Sequence, residues 1–247
     1  MTKSFASGAR VEIFDQLDST SLEAKRRAAM GEAGPLWLVA LRQTSGYGRR
    51  GSAWAQGEGD VAATFLFRPA VAPEILPQLS FVAGLAVADA VARFAPAGDL
   101  SLKWPNDVLA GGGKIAGMLL ELIGAPPPLI ALGVGVNVLS APEGLDYPSA
   151  RLINFAAAPP PPLAFVETLD ETLSAWRRRW ERQGFADIRA EWLSRAAGVG
   201  QRIRVRLPGE VVEGVFRDLD LAGALILDCD GRRRTIAAGA VLPPDRS

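Results

Sequence analysis

Short apolar runs and longer helix-like periods divide the chain into its predicted elements. Apolar runs predict strands at residues 10–17, 36–42, 61–67, 100–104, 114–121 and 129–138. Apolar spacings of three and four, with capping signals, predict helices at residues 20–31, 74–94, 163–183 and 186–197. About the last fifty residues instead alternate with a period of two. Strands at 201–206, 211–218, 224–229 and 232–237, separated by Gly-containing turns, predict a small SH3-like barrel.

Composition narrows the class of protein. The 247 residues carry no net charge, so no overall field favours nucleic acid or an anionic membrane. Histidine is absent, which removes the commonest general base and metal ligand. The single cysteine, Cys229, cannot form an internal disulfide and fits a reduced cytosolic compartment. No targeting segment is visible, and the longest apolar run, residues 129–139, is too short to span a membrane. We therefore expect a cytoplasmic protein.

The segment from Gln43 to Trp54, called the Gly-Arg loop below, is the first candidate for chemistry. Three glycines fall within six residues beside Arg49 and Arg50, and no acidic residue lies between Arg42 and Gln56. Glycine allows close backbone approach to a ligand, and arginine offers a fork of donors for carboxylate or phosphate. The loop is predicted to close over an anion; a solvated surface loop is the alternative.

Hydroxyl groups cluster where the first predicted strand gives way to a helix. Ser19, Thr20 and Ser21 follow Asp18, and Thr20 and Glu23 have the spacing of a capping box. Exposed NH groups at a helix N-terminus suit an anion or a polar ligand head. The alternative is that these side chains only cap the helix.

Two further segments offer polar groups on strand ends. Pro105 presents Asn106 and Asp107 at a turn, where they form a partial shell for Mg²⁺ or a plain Asx-turn. Lys114 heads an apolar strand in which Gly117 leaves room for a ligand, so it is predicted to contact phosphate. A solvated lysine at a sheet edge is the alternative.

Asn137 lies in an otherwise apolar strand and must find hydrogen-bond partners. Either the backbone supplies these partners, or the polar edge of a ligand such as adenine does.

Together these segments resemble the biotin protein ligases, in the short form without an N-terminal DNA-binding domain. The resemblance runs from about Val11 to Val241. The residues that carry it are Asp18-Ser19-Thr20, Gln43 to Trp54, Lys103 to Asp107, Lys114 to Glu121, and Gly133 to Asn137. It implies an α+β fold: a mixed β-sheet with helices packed on it, as in class II synthetase-like biotin/lipoate ligases, plus a C-terminal SH3-like β-barrel. The implied domains are residues 1–197 and 198–247.

The resemblance also implies a reaction and a set of site residues. Biotin and ATP would form biotinyl-5′-AMP with Mg²⁺, and a lysine of a biotin carboxyl carrier domain would then accept the biotin. Lys114 and Arg49 would be catalytic. Biotin would be bound by Ser19, Thr20, Ser21, Gln43, Tyr47, Gly48, Arg49, Lys114 and Gly117. The nucleotide would be bound by Trp54, Asn106, Asp107, Lys114 and Asn137, and Mg²⁺ by Asn106 and Asp107.

Three positions depart from the pattern that the resemblance implies. Ser21 stands where the family commonly has asparagine, and Tyr47 and Ser52 stand where it commonly has arginine. The Gly-Arg loop therefore carries fewer charges than usual. We expect this difference to affect loop order and retention of the adenylate more than the reaction itself.

Two other functions compete with biotin ligation. A lipoate ligase or octanoyltransferase of the same superfamily is one, although an octanoyltransferase needs a cysteine near its pocket and Cys229 lies in the predicted barrel. A non-catalytic nucleic-acid-binding module is the other. Zero net charge, and the lack of a helix-turn-helix pattern ahead of Arg10, argue against it.

Overall fold

The computed structural model describes residues 5–96, 98–125, 127–145 and 147–243, so the outer ends of the predicted domains 1–197 and 198–247 lie outside the described residues. The elements of the first part are β1 (Arg10–Phe14), α1 (Thr20–Ala29), β2 (Leu36–Ala40), β3 (Val61–Phe67), α2 (Leu79–Phe94), β4 (Leu100–Lys103), β5 (Asp107–Ala110), β6 (Gly113–Ile123), β7 (Leu129–Val136), α3 (Pro162–Gln183) and α4 (Phe185–Ser194). The second part contains β8 (Arg202–Leu207), β9 (Glu210–Leu219), β10 (Leu225–Cys229), β11 (Arg232–Ile236) and β12 (Ala240–Val241).

The first part is built on a mixed sheet, as predicted, and the sheet has seven strands where six were predicted, because Asp107–Ala110 forms the additional strand β5. Its strand order is β1-β2-β3-β7-β6-β5-β4, in which β1 and β2 are parallel and the other neighbours are antiparallel. Every residue of β2 and of β3 is buried, because helices cover both faces of the sheet. Continuous apolar runs are typical of strands in such a position.

Helix α2 forms the centre of the core. Eleven of its sixteen residues are buried, and it packs on α3, α4 and the sheet. The segment Pro73–Phe94 is long and apolar enough to cross a membrane, but 72% of its most apolar window is buried inside the fold. It is therefore a core segment of this domain.

Predicted helix boundaries differ most from the structure at two places. The helix predicted over residues 74–94 begins as a 3₁₀ turn over Pro73–Gln78, and α2 starts only at Leu79. Pro77 has no NH to donate, which disfavours a regular α-helical turn there. Helix α4 ends at Ser194, three residues before the predicted end.

The terminal residues form a five-stranded antiparallel sheet with the order β11-β10-β9-β8-β12. The predicted small β domain is thus confirmed as an antiparallel sheet, while its closure into a barrel stays a prediction. The sheet contacts the first part directly, since the indole NH of Trp104 donates to the Gly223 carbonyl at 3.0 Å. Residues 239–243 line the same cavity as the turn between β4 and β5.

Candidate active site

A cavity of about 770 Å³ opens beneath the Gly-Arg loop. Its other walls come from the β4–β5 turn, from β6 and β7, and from residues 239–243 of the terminal sheet. This volume lies within the range of ordinary small-molecule sites. Most of the predicted site residues line it: Thr20, Gln43, Tyr47, Gly48, Arg49, Trp54, Asn106, Asp107, Lys114 and Gly117.

A network of hydroxyls and one carboxamide forms the floor at the start of α1. The Thr20 NH and hydroxyl donate to Gln43 Oε1 at 2.8 and 3.2 Å. The Thr64 hydroxyl donates to Thr20 Oγ1 at 2.8 Å and lies 3.3 Å from Ser21 Oγ. Because Oε1 of Gln43 is committed to Thr20, its NH₂ group is the part of the side chain left to address a ligand.

The predicted capping box at α1 does not form. Ser19, rather than Thr20, is the N-cap, and its side chain makes no capping hydrogen bond. Thr20 is the first helical residue and uses its hydroxyl in the network with Gln43 and Thr64. Glu23 binds Arg26 and Arg27 instead of the helix start. The capping box is absent because Thr20 and Glu23 bind these other side chains instead of the backbone at the helix start.

The base of the Gly-Arg loop is fastened by two polar side chains. Gln56 accepts from the Gln43 NH and donates to the carbonyls of Ala40, Leu41 and Asp60. Asp60 is buried, and its carboxylate accepts from the NH groups of residues 57, 138, 139 and 140. These bonds hold both ends of the loop to β2 and to the segment after β7.

The tip of the loop brings an arginine onto the cavity. Gly48 NH donates to the Ser52 carbonyl at 2.7 Å, and Arg50 has a positive φ of 56°, so the backbone turns back on itself. Arg49 Nη1 lies 3.4 Å from Asn106 Oδ1 and 3.3 Å from the Gly239 carbonyl. Burial lowers the pKa of the Arg49 guanidinium, and nearby Arg50 lowers it further, yet an arginine keeps its charge at neutral pH.

The ring of Trp54 packs against two glycines of the sheet. A Cβ atom at Gly135 would come within 2.3 Å of the Trp54 ring, and one at Gly117 within 3.3 Å. The indole NH of Trp54 is buried and has no hydrogen-bond partner among the described residues. A buried donor of this kind calls for a ligand acceptor or a water.

Lys114 is fixed by an ion pair and two aromatic rings. Its ammonium lies 2.7 Å from Asp107 Oδ1, 5.6 Å from the Trp54 ring centroid and 5.5 Å from that of Tyr147. Lys103 lies 5.8 Å from the same Tyr147 ring. Burial lowers the pKa of Lys103, Asp107 opposes this change, and the neighbouring Lys114 adds to it.

The charged residues on the cavity wall are mostly basic. Counting described residues, five cations line it, Arg49, Arg50, Lys103, Lys114 and Arg206, against one carboxylate, Asp107. The chain as a whole has no net charge, so this excess of four positive charges is local. Cations converging on one cavity favour a ligand with several negative charges, such as a triphosphate.

Three predicted residues are placed away from the cavity wall. Ser19 and Ser21 are buried beneath it, and so is Asn137, whose NH₂ donates to the carbonyls of Ala150 and Lys114 at 3.0 and 3.2 Å. The backbone therefore satisfies the donors of Asn137. Its role toward adenine stays a prediction that would have to use Oδ1.

Several wall residues were missed by the sequence prediction. Thr64, which is buried beneath the wall and donates to Thr20, was missed as well, although it has a visible signal as the one polar residue of β3. Tyr147, Arg206 and residues 239–243 have none, since their place at the cavity depends on how distant segments pack. Cys229, by contrast, lies outside the set of residues that line the cavity.

Comparison with known proteins agrees with this geometry. Residues 14–137 match the Biotin/lipoate A/B protein ligase family, and residues 198–242 match the Biotin protein ligase C terminal domain. A biotin--[acetyl-CoA-carboxylase] ligase of Paracoccus denitrificans is 39% identical over 238 residues, covering 91% of this chain and 96% of that protein. The enzyme of the same name from Mycobacterium tuberculosis is 37% identical over 239 residues, covering 94% of this chain and 88% of that protein.

A solved structure shares the arrangement of elements. The biotin protein ligase from Aquifex aeolicus, in complex with biotin and ATP, superposes with a TM-score of 0.81 and 26% identity, covering 94% of this chain and 97% of that one. The matches thus extend over both parts of the molecule and the cavity between them. The chain belongs to the biotin/lipoate A/B protein ligase family, among the biotin protein ligases.

Proposed function

We propose that this chain activates biotin with ATP as biotinyl-5′-AMP and transfers the biotin to a lysine of a biotin carboxyl carrier domain. The observation that carries the proposal is the cavity itself. Its basic half, around Lys114 and Arg49, suits a carboxylate and a triphosphate. Its neutral half, around Thr20 and Gln43, offers hydrogen bonds to the uncharged head of biotin.

The residues of the cavity suit both steps. In the first step a carboxylate oxygen of biotin bonds to the α-phosphorus of ATP, and pyrophosphate leaves with the electron pair of the broken P–O bond. In the second step a lysine amine bonds to the acyl carbon, AMP leaves, and the amine loses a proton. Both steps need positioning and charge stabilisation more than a protein nucleophile. Lys114, whose ammonium lies 2.7 Å from Asp107 Oδ1, would bind the carboxylate and the α-phosphate.

Mg²⁺ fits the cavity as an ion that is held largely by its substrate. Asp107 is the carboxylate on the described wall, and no group of three or more acidic, histidine or cysteine side chains forms a metal cluster in the described ranges. Mg²⁺ commonly uses one or two carboxylates together with phosphates and water. Asp107 would hold it, whereas Oδ1 of Asn106 faces Arg49 at 3.4 Å and is less suited. When bound, the ion would neutralise charge on the phosphates.

The proposed partner and compartment follow from the same reaction. The related enzymes from Paracoccus denitrificans and Mycobacterium tuberculosis are named for acetyl-CoA carboxylase, so a carrier domain of a biotin-dependent carboxylase is the proposed acceptor here. We also propose a cytoplasmic location, no role for nucleic acid or membrane, and the division into domains 1–197 and 198–247.

Two assays test the proposal. Exchange of labelled pyrophosphate into ATP should depend on biotin and on Mg²⁺, and should not occur with lipoate in its place. Incubation with ATP, Mg²⁺, biotin and a carrier domain should add one biotin to that domain, seen by mass spectrometry. Exchange that depends on lipoate alone would replace biotin ligation with lipoate ligation. A carrier domain of unchanged mass, despite biotin-dependent exchange, would refute the transfer step.

A further inference from the structure

The side chain of Tyr47 leaves the Gly-Arg loop and enters a small cluster of charges beside the cavity. Its hydroxyl donates to Glu121 Oε2 at 2.9 Å and accepts from the Lys25 ammonium at 3.1 Å. Lys25 and Glu121 also form an ion pair of 2.8 Å. Both hydrogen-bonding capacities of the hydroxyl are thereby used, in a closed ring of three side chains.

The three residues come from three different elements. Tyr47 belongs to the loop, Lys25 to α1 and Glu121 to β6. Helix α1 packs on β3 and β7, so Lys25 and Glu121 are carried by rigid parts of the sheet layer. The aromatic ring of Tyr47 is half-buried, and the Lys25 ammonium lies 5.5 Å from the centroid of this ring. The loop is therefore attached to a fixed pair of charges.

The hydrogen bonds of the Tyr47 hydroxyl are shorter than those by which Arg49 reaches the rest of the protein. Tyr47 pairs with Ala53 across the narrow hairpin that carries Arg49, so holding Tyr47 holds the hairpin stem. Arg49 itself reaches the rest of the protein at 3.3 and 3.4 Å, which are long hydrogen bonds. The bonds of the Tyr47 hydroxyl, at 2.9 and 3.1 Å and to charged partners, are the stronger class.

We propose that Lys25, Glu121 and Tyr47 form a latch that fastens the Gly-Arg loop over the cavity. Lys25 and Glu121 are positioning residues, since they act on the loop through Tyr47. If the proposed function holds, the latch keeps the reactive acyl adenylate beneath the loop until the acceptor amine arrives. Retention of the adenylate is the functional part of the inference and rests on the proposed function. Fastening of the loop to Lys25 and Glu121 is the mechanical part and does not depend on that function.

The mechanical part is tested with trypsin, which cuts after Arg49 and Arg50 in the loop tip. Glu121→Ala and Tyr47→Phe should each raise the rate of cleavage at these two bonds about tenfold, because each removes a hydrogen bond to a charged group. Glu171→Ala is the matched control, since Glu171 pairs with Arg93 on the surface of α3. Equal melting temperatures of the variants would show that cleavage reports the loop. Cleavage at the wild-type rate in both variants would overturn the latch.

The functional part is tested by the rate at which biotinyl-AMP leaves the protein. Glu121→Ala and Lys25→Met should release it about tenfold faster than wild type with unchanged biotin-dependent pyrophosphate exchange. Glu121→Gln keeps an acceptor for the Tyr47 hydroxyl, so it should release biotinyl-AMP at a rate between those of wild type and Glu121→Ala. Unchanged release beside faster proteolysis would restrict the latch to the empty protein and overturn its role in retention. Failure of wild-type exchange would refute the proposed function and leave the trypsin result to decide the latch.

Discussion

The ammonium of Lys114 lies 2.7 Å from Oδ1 of Asp107, across the adjacent strands β6 and β5. Both side chains are largely shielded from water, each with 17% of its area exposed. The pair fixes the lysine at the cavity wall while no anion is present. A carboxylate or phosphate that enters the cavity must share the Lys114 ammonium with Asp107. The positive charge that it meets is therefore at a fixed position.

Removing the Lys114 ammonium should abolish most of the first step. We expect Lys114→Ala to lower biotin-dependent pyrophosphate exchange about 10²–10³-fold, the cost typical of losing one preorganised donor to developing charge. Lys103→Ala, a lysine on the same wall, is the control and should have a smaller effect. Near-normal exchange in Lys114→Ala would remove this residue from the reaction.

Neutralising Asp107 should separate its two roles. Asp107→Asn frees Lys114 from its ion pair but takes away the carboxylate proposed for Mg²⁺. We expect the Mg²⁺ concentration for half-maximal exchange to rise about tenfold, because one charged ligand is lost. A Mg²⁺ titration at saturating ATP measures this. An unchanged half-saturation point would show that the ion is held without Asp107.

The contact between Trp54 and Gly135 makes a pair of substitutions informative. Gly135→Ala places a methyl group where the Trp54 ring now lies, at 2.3 Å, so the ring must move. We expect ATP affinity to fall about tenfold, as for loss of a stacked aromatic contact. In a Trp54→Ala background the same change should cost nothing more. Calorimetry on the two single variants and the double variant measures the coupling, and additive effects would contradict a role for Gly135 through Trp54.

Arg49 is predicted to retain the adenylate. Arg49→Gly removes the guanidinium that spans from the loop to Asn106 and Gly239, and it should leak biotinyl-AMP that labels bystander lysines. Arg50→Gly is the matched comparison and should leak less, because Arg50 is exposed and its positive φ suits glycine. Biotinylation of an unrelated protein in the same mixture measures the leak. Labelling confined to the carrier domain in the Arg49 variant would refute the role in retention.

Acid titration should reveal the ion pair at the start of α1. Hydrogen bonds from Arg26 lower the pKa of Asp18 from 3.8 to about 2. The unfolded chain therefore binds a proton more readily, so the stabilisation by Asp18 is complete above pH 3.8 and is lost as pH falls through about 2. Asp18→Asn should unfold more easily than wild type at neutral pH, and this difference in unfolding free energy should vanish in acid. A difference independent of pH would contradict the prediction.

Local sequence patterns predicted the elements well where a single period governs a segment. Strand β3 matches its predicted bounds of 61–67, because each of its residues faces a buried layer. Patterns failed where a side chain had a choice of partners. Thr20 has the spacing of a cap, but Gln43 and Thr64 compete for its hydroxyl in the folded protein.

The sequence predicted those cavity residues that belong to short continuous motifs. The Gly-Arg loop, the Asn106–Asp107 turn and Lys114 are short segments with recognisable composition, and they do meet. The contribution of Arg206 and of residues 239–243 depends on how two sheets pack against each other, which no local pattern encodes. The partnership of Tyr47 with Lys25 and Glu121 likewise joins residues that are up to 96 positions apart.

The wall formed by residues 239–243 bears on how the protein is handled in the laboratory. A fragment that stops at residue 197 would lack Arg206 and residues 239–243, and one side of the cavity would then be open to water. A shortened form of the protein that is meant to bind ligands should therefore keep the terminal sheet.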